Sequence, residues 1–112
     1  MAVSYVPERG DLVWIAFDPQ AGHEQAGRRP GLVVTPRTYN VKAGLALICP
    51  VTSRVKGYPF EVPLPDGDRV SGVILADQIR SLDWAARQAE KISMVDGAVL
   101  AEVLAKIEAL IQ

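Results

Sequence analysis

Cysteine and histidine are almost missing: 112 residues contain one of each, Cys49 and His23. A lone thiol cannot close an internal disulfide, and one cysteine with one histidine cannot furnish a four-ligand zinc cluster. Cys49 ends the apolar run Leu45-Ala46-Leu47-Ile48-Cys49, where a small sulfur side chain is expected as buried core. Also missing are a glycine-rich phosphate loop of the Walker type, an acidic cluster suited to magnesium, and any Ser-His-Asp spacing that argues for a triad. Neither a metal nor an organic cofactor is therefore expected. No apolar run approaches the ~18 residues a membrane span needs. No basic-then-apolar leader precedes Arg9-Gly10-Asp11. The expected address is the cytoplasm, with no membrane partner. Repeats, low-complexity stretches and linkers are absent too, so residues 1–112 read as one domain.

What is present is a folding composition, 49% hydrophobic and 22% charged, which argues against disorder. The formal net charge of −1 hides an asymmetry. Between Gln20 and Phe60 stand Arg28, Arg29, Arg37, Lys42, Arg54 and Lys56 against Glu24 alone. Such a basic middle suits a polyanion, and it equally suits a set of solvated loop charges.

The pattern of apolar residues is mostly that of strands. Asp11 to Phe17 is apolar, β-branched and aromatic and stops at Asp18-Pro19, which predicts a strand buried on both faces. Further strands are predicted at Leu32–Thr35, Leu45–Val51, Phe60–Leu64 and Val73–Ile79, with Pro36, Gly44, Pro50, Gly57, Pro59, Pro65 and Gly67 among the residues that punctuate them. Short strands in such a row imply a small, strongly bent antiparallel sheet or partly open barrel. The period then changes: Val99, Leu100, Val103, Leu104, Ile107, Leu110 and Ile111 share one helical face, with Asp96 as N-cap. The fold class expected is mostly β with α.

Between the first two strands lies a polar loop, Gln20 to Pro30, whose Gly22 and Gly27 permit a tight path. It carries Glu24 and Arg29, five residues apart. A guanidinium can grip a phosphate with two parallel hydrogen bonds, and a carboxylate can take a proton from a hydroxyl. If that hydroxyl is the 2′-OH of RNA, it attacks the adjacent phosphorus and the chain breaks without metal. The same two residues can instead pair with each other and brace the loop. His23 is open to two readings, a general acid for a leaving oxygen or an exposed loop residue. Trp14 falls mid-strand and is expected in the core or in a dimer interface, Trp84 against a short helix, and Phe17, at a strand end, is the better base-stacking candidate.

Gly10-Asp11-Leu12-Val13-Trp14, Phe17-Asp18-Pro19 and Gly22-His23-Glu24-Gln25-Ala26-Gly27-Arg28-Arg29-Pro30 resemble the opening of the MazF/Kid (PemK-like) toxins. Pro50-Val51-Thr52, Lys56-Gly57-Tyr58-Pro59-Phe60-Glu61-Val62 and Leu75-Ala76-Asp77-Gln78-Ile79-Arg80-Ser81 continue the resemblance in order and spacing. It runs from about Tyr5 to the final helix. One departure is His23, where relatives often have serine.

The resemblance implies a small SH3-like antiparallel barrel with a C-terminal helix, the fold of CcdB/Kid/MazF-like plasmid maintenance toxins. It implies a homodimer and a type II toxin–antitoxin endoribonuclease that cuts single-stranded mRNA, leaving a 2′,3′-cyclic phosphate and a 5′-hydroxyl. The partner it implies is an acidic, MazE-like antitoxin with a disordered C-terminal segment. On this chain the family's catalytic positions fall on Glu24, Arg29 and Thr52. The substrate groove falls on Phe17, Gln25, Ser53, Lys56 and Gln78, with Arg28 supplying backbone attraction. An arginine is almost never deprotonated, so Glu24 is the expected base and Arg29 an electrostatic stabiliser. The rival reading is a toxin of the same fold that poisons gyrase by contact and cleaves nothing, since fold alone does not fix function.

Overall fold

The structure is a computed structural model that describes residues 5–17 and 27–112. Its elements run β1 (Asp11–Ala16), β2 (Arg28–Val33), α1 (Arg37–Ala43), β3 (Ala46–Thr52), β4 (Glu61–Pro63), β5 (Val73–Leu75), a 3₁₀ turn (Ala76–Gln78), β6 (Arg80–Leu82), β7 (Glu90–Met94) and α2 (Gly97–Ile111). All strand pairs are antiparallel, in the order β4-β5-β3-β2-β1-β7. β3 is the hub. One edge pairs with β2 through Gly31–Pro50, Leu32–Cys49 and Val33–Ile48. Its other edge is shared: β6 takes Ala46 to Ile48 and β5 takes Val51 and Thr52. The sheet splits and bends between them. Among the described residues β4 and β7 do not pair with each other, so the expected barrel is an open, bent sheet.

Side chains alternate across the strands and build two cores. Leu12, Leu32, Cys49, Val51, Val62 and Ile74 meet Val99 and Val103 of α2 on one face. Val13, Ile15, Phe17, Val33, Ala46, Ile48 and Leu82 form the other, against Tyr5, Trp84 and Ala89. α2 matches the predicted face. Asp96 stands at its N-cap, but the backbone carbonyl rather than the side chain accepts from Val99 and Leu100. The last turn outruns the sheet, leaving Ile111 80% exposed.

Several expectations need correcting. β1 is buried on both faces as expected except at Trp14, which is 41% exposed. Its neighbours across the ladder are Pro30 and Glu90, and the cluster under α2 takes Leu12 but stops short of the indole. Val73–Ile79 is a strand only to Leu75. The Ala76 amide then donates to the Phe60 carbonyl and Ala76 is fully buried, turning the chain into the 3₁₀ corner. α1, β6 and β7 lie outside every predicted element. No helix among the described residues is long and apolar enough to cross a membrane.

Two buried polar groups fasten the N-terminal segment. Asn40, on α1, donates to the carbonyls of Pro7 and Thr35 at 2.8 and 3.1 Å and accepts from the Thr35 hydroxyl at 2.7 Å. Asp11 accepts from the Tyr5 hydroxyl and the Glu8 amide, with the Lys91 ammonium 3.6 Å away. Burial, helped by that carboxylate, pushes the Tyr5 phenol well above its ordinary pKa.

Candidate active site

The face that carries Val13, Ile15 and Phe17 also carries Arg29, which pairs with Ile15 across β1–β2. Alternation puts Ile48, Pro50 and Thr52 of β3 on that face as well, and Arg80, the partner of Ile48, joins them from β6. The guanidiniums of Arg29 and Arg80 each lie 5.9 Å from the centre of the Phe17 ring. The two cations are therefore no farther apart than twice that distance. Gly31 makes this possible. A Cβ there would meet Ile48 Cγ2 at 2.6 Å and Phe17 Cζ at 2.9 Å, so only a glycine lets the ring lie over β2. Arg87 caps the end of β1, donating from Nη1 to the carbonyls of Ala16 and Phe17 at 2.9 Å each.

Thr52 ends β3 beside a cleft of about 120 Å³, with Leu75 as its apolar wall and Tyr58, Lys56, Glu61 and Gln78 around it. Arg54 reaches the same cleft. The Thr52 hydroxyl accepts from the Arg54 amide at 3.1 Å. A hydroxyl has one donor and two acceptor positions, so its proton stays available for an incoming oxygen. Thr52 thus makes the backbone contact of an ordinary strand end and still keeps a donor. Gly72 holds it from behind: a Cβ there would sit 2.2 Å from the Thr52 carbonyl oxygen, at a φ of +120° that disfavours any side chain.

The expected site residues divide accordingly. Arg29, Thr52, Lys56 and Gln78 stand on exposed or half-exposed positions around this face and cleft, and Ser53 is exposed just beyond Thr52. Glu24 and Gln25, with His23, lie outside the described residues. Phe17 is no open stacking platform. It is 4% exposed, inside the core cluster, and the groups against its ring are guanidiniums. Arg28 is a poor general attractor because it pairs with Glu90 at 3.1 Å across β1. Trp84 does reach the short helix α1, its indole N–H donating to the Asn40 carbonyl at 3.1 Å. Residues the sequence reading passed over are Arg80, Arg87, Gly72 and Tyr58. Arg80 is an ordinary charge until strand register places it and Arg87 until its turn brings it to the end of β1, and Gly72 and Tyr58 are ordinary turn residues until the chain folds around Thr52.

Cys49, fully buried, has its thiol pushed up to about 12 by burial and, to a lesser degree, by the Asp77 charge. It is a neutral core side chain. Among the described residues no group of three or more His, Cys, Asp or Glu is placed to hold a metal ion.

A bent antiparallel sheet gathers two arginines and a threonine hydroxyl on one face, beside a cleft with a lysine, and this donor set has the chemistry to hold phosphate oxygens. Comparison with known proteins narrows that chemistry. Residues 8–111 match the family of PemK-like, MazF-like toxins of type II toxin–antitoxin systems. The chain is 50% identical over 111 residues to the endoribonuclease toxin MazF of Escherichia coli strain K12, covering 99% of each. It is 37% identical to the endoribonuclease toxin ChpB of the same organism, covering 94% of each. The crystal structure of MazF from Deinococcus radiodurans superposes with a TM-score of 0.88 at 58% identity, covering 96% of this chain and 98% of that one. A MazE–MazF crystal structure from the same organism gives 0.86 at 52% identity, covering 96% and 97%. The chain belongs to the PemK-like, MazF-like toxin family.

Proposed function

We propose that this protein is the endoribonuclease toxin of a type II toxin–antitoxin system, cutting single-stranded mRNA at specific sequences without a metal ion. The observation that carries this reading is the joint placement of Arg29, Arg80 and the Thr52 hydroxyl on one sheet face beside the cleft. It stands in a chain half identical, end to end, to a protein named an endoribonuclease toxin. In the reaction Glu24 takes the proton of the ribose 2′-OH. The oxygen attacks the adjacent phosphorus, and the bond from phosphorus to the 5′-oxygen breaks. That oxygen takes a proton from solvent while Glu24 returns its own, giving a 2′,3′-cyclic phosphate and a 5′-hydroxyl. Arg29 neutralises the charge that develops on the phosphoryl oxygens, and Thr52 donates its hydroxyl to one of them. Ser53, Lys56, Gln78 and Gln25 border the RNA path.

The active form in this proposal is a cytoplasmic homodimer, whose two-fold axis turns a shallow face into a groove with doubled positive charge. Trp14, left 41% exposed by the core, is available to such an interface. The inhibitor is an acidic antitoxin whose disordered C-terminal segment folds into that groove; that an antitoxin exists at all is supported by the MazE–MazF complex of a relative. The test is to incubate the purified protein with a long RNA in EDTA, map the new 5′ ends, and repeat with a single 2′-deoxyribose at the mapped site. Cutting in EDTA that stops at the deoxy position is expected. Activity lost in EDTA and restored by magnesium would refute the mechanism, and no cutting at all would favour a same-fold toxin acting by protein contact.

A further inference from the structure

The segment from Arg54 to Phe60 joins β3 to β4 and is tied down at two points that no family role explains. From within the cleft, the Glu61 carboxylate accepts from the Lys56 amide at 3.1 Å and the Gly57 amide at 2.9 Å. Gly57, at φ +82°, supplies the left-handed turn that aims both amides at one carboxylate. From outside, the Lys106 ammonium of α2 donates to the Pro59 carbonyl at 2.7 Å. Between the two ties stands Tyr58, 60% exposed, with the Lys56 ammonium 5.8 Å from its ring centre. A large aromatic ring held that far out of the core costs the fold apolar burial, and the ties explain how it stays at the cleft.

We propose that Tyr58 is the nucleobase platform of the cleft and that Glu61 and Lys106 are positioning residues holding its loop in the receiving shape. The proposal rests on the ribonuclease reading above and deepens it. The chemistry around the ring fits one unstacked base followed by its phosphate. Tyr58 offers a π-face, Leu75 an apolar wall, Gln78 an amide with both donor and acceptor for a base edge, and Lys56 a charge for the phosphate. The ring of Phe17 cannot take this part, since it is 4% exposed inside the core, whereas Tyr58 is 60% exposed. Lys106 itself stays off the RNA. Its ammonium is engaged by Pro59 and lies 3.9 Å from Glu102 one helical turn back. Because the Pro59 contact crosses from the C-terminal helix to the loop, α2 both covers a core and sets the shape of the recognition loop.

The experiment measures binding of full-length protein to a short oligoribonucleotide carrying the mapped cut site with one 2′-deoxyribose at the scissile position, across a salt series. Tyr58→Ala should weaken binding about tenfold, within the range seen for loss of one stacked base. Lys106→Met should weaken it severalfold while the slope of log Kd against log salt stays at the wild-type value, and Lys106→Arg should restore it. A lysine touching phosphate would instead lower that slope by roughly one contact. The double variant Tyr58→Ala with Lys106→Met should bind no worse than Tyr58→Ala alone, since both act through one ring. Glu61→Gln, which keeps an acceptor but loses the charge, should fall between wild type and Tyr58→Ala. A reduced salt slope for Lys106→Met, additive losses in the double variant, or unchanged binding by a folded Tyr58→Ala protein each overturn the proposal. Wild-type protein that binds and cuts no RNA removes the ribonuclease reading and this proposal with it. Wild-type binding with an inert Lys106→Met removes only the latch.

Discussion

Where β3 begins, beside the end of β2, polar groups are matched inside the protein. Asn40 is fully buried, its amide donating to two carbonyls and accepting one hydroxyl, while the Thr35 hydroxyl also takes the Leu47 amide. Trp84 adds its N–H to the Asn40 carbonyl. At the opposite end of the same strands the polar groups point outward. Arg29 and Arg80 lie over an aromatic ring, Lys56 lies over another, and Thr52 keeps a hydroxyl proton available. One sheet thus serves two purposes. The first end fixes geometry by satisfying every donor it can, since a buried unmatched group costs about 1–3 kcal/mol. The second holds cations on aromatic faces, which orient a guanidinium while leaving its N–H groups directed at a ligand. Stability is concentrated at one end and chemistry at the other.

Substitutions at the two ends should therefore separate cleanly. The largest effect is expected at the site: Arg29→Ala and Glu24→Gln should each slow RNA cleavage by about 10²-fold or more with the thermal midpoint nearly unchanged. Steady-state or single-turnover cleavage with parallel melts measures both. A folded Glu24→Gln protein cutting at the wild-type rate would take the glutamate out of the mechanism. Asn40→Ala should do the reverse, destabilising by about 2 kcal/mol because the Pro7 and Thr35 groups lose their partner. Activity per folded molecule should persist. A comparable loss of activity well below the melting temperature would mean that the two ends are coupled rather than separate.

What could be read from the sequence follows the same division. β1, β3 and α2 were legible because their apolar periodicity is strong and local, and Val99 and Val103 are buried as that period requires. β7, Glu90-Lys91-Ile92-Ser93-Met94, was not legible, for it is half polar and owes its strand form to pairing with β1. α1 was hidden because it has seven residues and follows a proline with no side-chain cap. β6 exists because the 3₁₀ corner after Leu75 redirects the chain onto β3, a tertiary event. Site residues divide likewise. Arg29 was legible as a phosphate-gripping guanidinium near Glu24, while the roles of Thr52, Lys56 and Gln78 came from resemblance in ordered motifs. Arg80, Gly72 and Lys106 act through register and close approach across the fold, which spacing along the chain does not encode.

Between the two ends, in the core itself, Cys49 makes a pH-dependent contribution. Its folded pKa of about 12 lies above the ordinary thiol value of 9.0, so the fold favours the protonated form. That contribution is fully present below about pH 9 and is lost as pH rises toward 12. Urea melts from pH 8 to 11 should show wild type losing stability faster than Cys49→Ala over that window, while a thiol reagent at pH 8 reacts slowly with the native protein. Parallel pH profiles for the two proteins would show that the thiolate is not excluded by this core.

The smallest effect is expected at Arg28, which sits next to Arg29 in sequence yet belongs with the structural contacts. Its guanidinium crosses β1 to Glu90 at 3.1 Å, and the Glu90 side chain is 73% exposed. An ion pair so open to solvent contributes about 0–1 kcal/mol, because water screens the charges and holding two long side chains costs entropy. Arg28→Ala should therefore barely move the melting temperature. It should also change RNA affinity far less than Lys56→Ala, whose loss should lower the salt slope by roughly one phosphate contact. Glu90→Gln offers the reverse test: with its partner's charge removed, Arg28 becomes available to phosphate, and binding at low salt should tighten slightly and loosen again as salt rises. If Arg28→Ala weakens binding as much as Lys56→Ala, the Glu90 pair opens when RNA arrives and Arg28 belongs with the cations of the site.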